Sequence, residues 1–156
     1  MIVTLHYPKN IVMSIVPTQN LHTDFFTEVP MPDQYLTGKA WVKVLYKDNH
    51  IQNSIFKTIS FEPRARNNWH THAGLQMIIA TDGVGFYQEK GKPIQIMRTG
   101  DVITVIPGVE HWYGAAPDCS FTHLVIVTEI QNGKMEWMDK VTEEEYAGFI
   151  NNGNSI

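Results

Sequence analysis

The chain has 156 residues, which is the length of one ordinary domain and enough to bury a substantial core. Its 43% hydrophobic and 18% charged residues exclude an intrinsically disordered chain. The net charge of −4 supplies no basic surface, so we expect no nucleic-acid partner. No run reaches the roughly 18 apolar residues that a membrane span requires, and we expect no membrane association.

Two further features predict a cytoplasmic protein. The single cysteine, Cys119, excludes an internal disulfide and fits a reducing compartment. The first residues include His6, Lys9 and Asn10 where a secretory signal peptide would need an unbroken apolar stretch.

From Ala40 onwards, short stretches of strand-forming residues alternate with turn residues such as Asp82-Gly83, Gly91 and Pro107-Gly108. No helical period is found among these stretches, and such a series is typical of a β-sandwich or barrel. We therefore predict an all-β, double-sheet jelly roll. The predicted strands are residues 40–46, 55–63, 75–81, 84–90, 93–99, 102–106, 111–115 and 121–130.

The tail has a different pattern. Thr142 and Glu145 have the spacing of a capping box, and acidic residues suit the positive end of a helix dipole. A short helix is therefore expected through about Phe149. We predict one domain over the whole chain, 1–156, with three segments: an N-terminal arm (1–38), a barrel core (about 40–130) and a C-terminal helical tail (134–150).

Histidines supply the candidate site. His70 and His72 leave the same face of an extended strand, Gln76 has the same parity, and His111 follows a Pro-Gly turn. Imidazole suits Zn, Cu, Fe and Ni, so convergence of these side chains would make a transition-metal site. By itself a His-x-His pair is more often a surface or hydrogen-bonded core pair than a ligand pair.

These stretches resemble the paired motifs of the cupin superfamily, G-x5-H-x-H-x3,4-E-x6-G and G-x5-P-x-G-x2-H-x3-N. The residues in register are His70, His72, Gln76 and Gly83 in the first motif, and Gly100, Gly108 and His111 in the second. The departures are Arg64, Gln76, Ile106 and Ala115, in place of glycine, glutamate, proline and asparagine. The resemblance implies the cupin double-stranded β-helix, a jelly-roll barrel, followed here by the short C-terminal helix.

A narrower resemblance covers a little over half the chain. Residues 61–146 are similar to small bacterial single-domain cupins associated with carboxymuconolactone decarboxylase-like proteins, a subgroup that includes manganese-dependent hydroxynitrile lyases. The resemblance implies that His70, His72, Gln76 and His111 hold the metal. Tyr113 stands where the lyases have a histidine implicated in proton transfer, and His123 matches a further histidine. The matching segments are EPRARNNWHTH, GDVITVIPGVEHWYGAAP, FTHL and GKMEWMDKVTEEEY.

The resemblance implies an enzyme that uses a divalent metal, Mn, Fe or Zn with Ni as a further alternative, as a Lewis acid. The substrate would be a small carbonyl- or carboxylate-bearing molecule and the reaction lyase- or decarboxylase-like. Tyr113 and His123 are the predicted proton carriers. Two alternatives are a non-haem iron dioxygenase and a non-catalytic small-molecule binding or sensor cupin. Because cupins commonly dimerise through their sheets, we also expect a homodimer.

Other interpretations of these residues remain open. Tyr113 would equally suit packing in a barrel wall, His123 would suit a hydrogen-bonded core position, and Gln76 could have lost a ligand role. Arg64 and Arg66 are expected on the solvated surface, or as guides for an anion approaching the site.

Overall fold

The computed structural model describes residues 27–48, 53–130, 133 and 135–151. In this part of the chain there are twelve strands, a short 3-10 helix (Asp33–Tyr35) and one α-helix. The strands are β1 (Val29–Pro30), β2 (Leu36–Thr37), β3 (Ala40–Asp48), β4 (Ser54–Phe61), β5 (Arg66–Asn67), β6 (His70–Thr71), β7 (Gln76–Glu89), β8 (Gln95–Arg98), β9 (Val102–Val105), β10 (His111–Ala115), β11 (Phe121–Val127) and β12 (Glu136–Trp137), and the helix is α1 (Glu143–Asn151).

Antiparallel pairing curls these strands into two sheets that share β7. The first half of β7 pairs with β9 and β11, which leads on to β4, β3 and β1. Its second half pairs with β8 and β10, which leads on to β5, β2, β6 and β12. This arrangement confirms the all-β jelly-roll barrel with a short C-terminal helix. Among the described residues, the α-helix is far too short and polar to span a bilayer.

The predicted turn at Asp82-Gly83 was wrong, because β7 runs through it without a break. Gly83 has φ of +74°, and a Cβ built there would lie 1.9 Å from the Ser120 carbonyl oxygen. The register against β11 shifts nearby, between Thr122 and His123. The glycine therefore allows a bulge and a close approach of two strands where β7 passes between the sheets, rather than a chain reversal.

The core has two parts because alternate strand residues face opposite sides of each sheet. The barrel interior contains apolar side chains from both sheets, including Ile59, Phe61, Ile78, Met97 and Val125. A second cluster lies on the other face of β7 and β10 and is covered by the tail, with Trp69, Phe86, Trp112, Val141 and Tyr146 as members.

The tail is fixed by local and long-range contacts. Thr142 and Glu145 form the predicted capping box: Glu145 N donates to Thr142 Oγ1 at 3.1 Å, and Thr142 N donates to Glu145 Oε2 at 2.8 Å. Arg66 is buried rather than solvated, so the surface prediction was wrong for this residue. Its guanidinium donates to Val141 O at 3.0 Å and to Glu143 Oε1 at 2.8 Å, which ties the tail to β5. Residues 1–26 of the predicted N-terminal arm lie outside the described residues.

Candidate metal centre

Three strands and the loop between β6 and β7 bring the predicted ligands together in the barrel. His70 lies on β6 directly opposite His111, the first residue of β10, and His72 and Gln76 follow in chain order. One nitrogen from each of the three imidazoles lies within 4.8 Å of the others. All three histidines and Gln76 are buried. Such a group could hold a metal ion.

Backbone carbonyls orient two of the rings. His70 Nδ1 lies 3.0 Å from Asn68 O, and His111 Nδ1 lies 2.9 Å from Val109 O. A neutral imidazole that donates through Nδ1 has its lone pair on Nε2, which is the form that binds a metal. His70 Nε2 and His72 Nε2 are buried and have no hydrogen-bond partner among the described residues. These atoms are donors for a cation, and their burial without one is costly.

Gln76 adds a second sign of a cation site. Its Oε1 lies 2.7 Å from His111 Nε2. If His111 donates to Val109 through Nδ1, then two acceptors face each other at this short distance, unless the amide turns its NH2 group toward the ring. A positive ion beside both atoms would remove that repulsion.

Burial keeps the histidines neutral. It lowers the pKa of His72 to about 3 and of His111 to about 4, and lowers that of His70 well below its ordinary value. Repulsion between the neighbouring imidazolium charges acts in the same direction for His70 and His72. Neutral imidazoles do not compete for protons near neutral pH, so the donor set fits a divalent transition metal.

The two predicted proton carriers lie next to this centre and contact each other edge to face. The Tyr113 ring lies 5.5 Å from His70 and 4.8 Å from His123, between centroids. His123 is packed between Phe61 and Phe121 at centroid distances of 5.8 and 4.9 Å. Tyr113 therefore contacts the histidine cluster directly, whereas His123 adjoins it only through Tyr113.

The two predicted proton carriers have pKa values that are shifted in opposite directions. Burial lowers the pKa of His123 to about 3, and in the part of the chain that the structure describes neither of its ring nitrogens has a hydrogen-bond partner. Burial raises the pKa of the Tyr113 phenol above its ordinary value. At neutral pH, His123 is therefore neutral and can accept a hydrogen bond, but its lowered pKa makes it a weak base, and Tyr113 stays protonated as a hydrogen-bond donor.

A cavity of about 580 Å³ adjoins the cluster through His72. Its wall also contains Lys57 of β4, which the sequence analysis missed. The sequence does contain a signal for the position of Lys57. This residue has the same strand parity as Ile55, Ile59 and Phe61, which face the barrel interior. Neither Tyr113 nor His123 is part of this wall.

Comparison with known proteins identifies the family. A family model for the cupin domain matches residues 57–127. The (R)-mandelonitrile lyase of Granulicella tundricola is 36% identical over 115 residues, which cover 74% of this chain and 88% of the relative. A cupin-like protein of Thermotoga maritima, whose crystal structure is known, is 44% identical with a TM-score of 0.75, covering 80% of this chain and 95% of the other.

The barrel also occurs in more distant proteins. A cupin 2 conserved barrel domain protein from Rhodopseudomonas palustris has a TM-score of 0.62 at 14% identity, over 80% of this chain and 83% of the other. At that identity the likeness concerns the fold alone. The long alignments with the two more similar proteins, the jelly-roll barrel and the family model agree: this chain belongs to the cupin family.

Proposed function

We propose that this cupin is a metal-dependent enzyme that acts on a small carbonyl- or carboxylate-bearing molecule in a lyase- or decarboxylase-like reaction. The observation that carries the proposal is the buried set of three imidazoles: two of their Nε2 atoms have no partner within the described segments, and His72 lines a cavity. The similarity to a mandelonitrile lyase supports a lyase reaction in particular.

The proposed ligands and the cavity have separate roles. His70, His72, Gln76 and His111 would hold the ion, and all four are neutral ligands. A divalent ion bound there would supply Lewis-acid chemistry with its double charge uncompensated by the protein ligands. The cavity would bind and orient the substrate at the His72 side, and the walls of the barrel would exclude water.

Proton transfer would use the buried pair behind the ligands. Tyr113 can donate a hydrogen bond toward the histidine cluster, and neutral His123 can accept a hydrogen bond on the Tyr113 side and would hold a proton only transiently, because burial lowers its pKa to about 3. Since a tyrosine stands at this position, we expect Tyr113 to polarise a bound group rather than to act as a base at neutral pH. Mn, Fe and Zn are the expected metals, and a homodimer stays a prediction.

The decisive experiment is elemental analysis of protein purified without a chelating tag. We expect wild type to retain a divalent transition metal and His72→Ala to lose it. Replacement of groups that only orient metal ligands costs about 10- to 100-fold in metal affinity, so loss of a ligand is expected to cost at least as much. Ile55→Val is the control, because this residue lies in the same cavity wall and cannot bind a metal.

Turnover is then assayed with wild type and His72→Ala. Mandelonitrile and a panel of 2-oxo acids are the first substrates. Metal-dependent cleavage that is absent from the variant would support the proposal. Unchanged metal content in His72→Ala would refute the metal centre, whereas oxygen consumption with Fe(II) would favour the dioxygenase alternative.

A further inference from the structure

The cavity beside His72 has an unusual charge for the interior of a barrel. Lys57 and Lys47 both lie in its wall, and no acidic residue does so among the described residues. Much of the remaining wall is apolar, with Ile55, Val127 and Ile130 as examples. The wall is therefore positive and partly apolar, which is the character of a site for a small organic anion.

Lys57 lies deeper than a surface lysine. It occupies an interior-facing position of β4 between Ile55 and Ile59, and its strand neighbours are Val44 on β3 and Val125 on β11. In the described part of the chain, no ion pair or hydrogen bond joins its ammonium group to another residue. Burial lowers its pKa from the ordinary value.

Lys57 shares this cavity with the three-histidine centre. Lys57 and His72 both line this cavity, so the ammonium group and one member of the three-histidine centre border the same space. Lys57 is half-buried, and an ammonium with no partner among the described residues is unfavourable there, because a charge withdrawn from water needs a counter-charge or hydrogen bonds. An anion in the cavity would supply both.

We propose that Lys57 is a specificity residue whose ammonium binds the carboxylate of a small organic acid in the cavity, with the rest of that molecule directed at His72 and the three-histidine centre. This inference rests on the proposed function for the reaction at the centre, but it makes a separate claim about which molecules bind. A single interior lysine in a partly apolar wall suits a monoanionic carboxylate better than a dianionic phosphate.

The test compares carboxylates with amides of the same shape. Pyruvate and pyruvamide, and benzoylformate and benzoylformamide, are titrated calorimetrically into chelator-treated and Zn-loaded protein. We expect each carboxylate to bind about 10- to 100-fold more tightly than its amide, because only the carboxylate brings a negative charge to its hydrogen bond with the Lys57 ammonium group. Inorganic phosphate should bind more weakly than the organic acids.

Three variants test whether Lys57 causes the preference for carboxylates over amides. Lys57→Met keeps the length of the side chain without its charge and should bring carboxylate affinity down to that of the amide. Lys57→Arg should retain the preference, and Lys47→Met controls for positive charge elsewhere in the wall. Thermal unfolding of each variant verifies that it is folded.

The metal-free arm separates this proposal from the proposed function. A preference for carboxylates that persists without metal and disappears in Lys57→Met supports the role of Lys57, even if no turnover is ever found. A preference that needs metal and survives Lys57→Met would overturn it, as would equal binding of acids and amides to the wild type. Tighter binding of phosphate than of any carboxylate would also overturn it.

Discussion

Residues of the barrel interior combine tight packing with unsatisfied polar atoms. His123 is the clearest case, because its ring is fully buried between two phenylalanine rings and neither nitrogen has a partner in the described structure. A buried polar group without a hydrogen bond costs about 1–3 kcal/mol of stability. Such a cost is expected where a residue serves the reaction rather than the fold.

We expect His123→Leu to be no less stable than wild type at neutral pH. The substitution removes the uncompensated imidazole, which offsets the loss of ring stacking worth about 0.5–1.5 kcal/mol. Urea unfolding of the metal-free protein measures the difference. Tyr113→Phe is the companion variant, since it removes one buried hydroxyl and retains the ring. A loss of several kcal/mol in His123→Leu would show a structural role for the imidazole.

The sequence predicted the site better than it predicted the surroundings of the site. His70, His72 and Gln76 have the same parity, but β6 ends at Thr71 and β7 begins at Gln76, so strand parity alone did not determine their convergence. The resemblance to the cupin motifs identified these residues together with His111. Lys57 was missed because a lysine within an alternating strand ordinarily faces solvent, and only the tertiary structure shows which face is inside. Arg66 was misplaced for the same reason, since its partners on the tail lie far away in the sequence.

At the scale of elements, β7 determines the architecture because each half of it belongs to a different sheet. Sequence patterns identified its strand-forming residues but split them at Asp82-Gly83. A glycine signals conformational freedom in both a turn and a bulge, so pattern alone could not distinguish them. The capping box of α1, in contrast, depends on four consecutive residues and was predicted correctly.

A pair of glycine variants tests the close approach of β7 to the Ser120 carbonyl at Gly83. Gly83 and Gly91 both have positive φ, +74° and +76°, but a Cβ on Gly91 meets nothing within 4 Å. Gly91→Ala therefore reports only the backbone strain, about 1 kcal/mol. Gly83→Ala adds a clash with the Ser120 carbonyl and is expected to cost several kcal/mol or to prevent folding. Equal unfolding free energies for the two variants would contradict the close approach.

For the molecule as a whole, buried neutral histidines couple stability to pH. Their pKa values are lowered by burial, to about 3 for His72 and His123 and about 4 for His111. The unfolded chain takes up protons below about pH 6.5, while the folded barrel does not until the pH approaches these values. The unfolded state therefore binds more protons in this window, and the free energy of unfolding falls as the pH falls.

The expected slope is steep in the chelator-treated protein. Each histidine contributes up to about 1.4 kcal/mol per pH unit below about pH 6.5, and this stability is fully present above that pH. Urea unfolding at intervals from about pH 7.5 to about pH 4.5 measures the slope. His123→Leu should reduce the slope by the contribution of one histidine, and Ile55→Val should leave the slope unchanged. A stability that is flat from about pH 7.5 to about pH 5 would contradict the neutral cluster.

The sharing of β7 also restricts how the length of this chain can change. Because side chains alternate from one face to the other, adding or deleting a single residue within Gln76–Glu89 would turn every later side chain of the strand to the opposite face. A change in the first half of the strand would therefore disturb both sheets, and a change in the second half would disturb the sheet that contains β8 and β10. Insertions are tolerable only beyond the strand, for instance at the Gly91 and Gly100 corners, so new loops in related barrels should arise there while this strand keeps a constant number of residues.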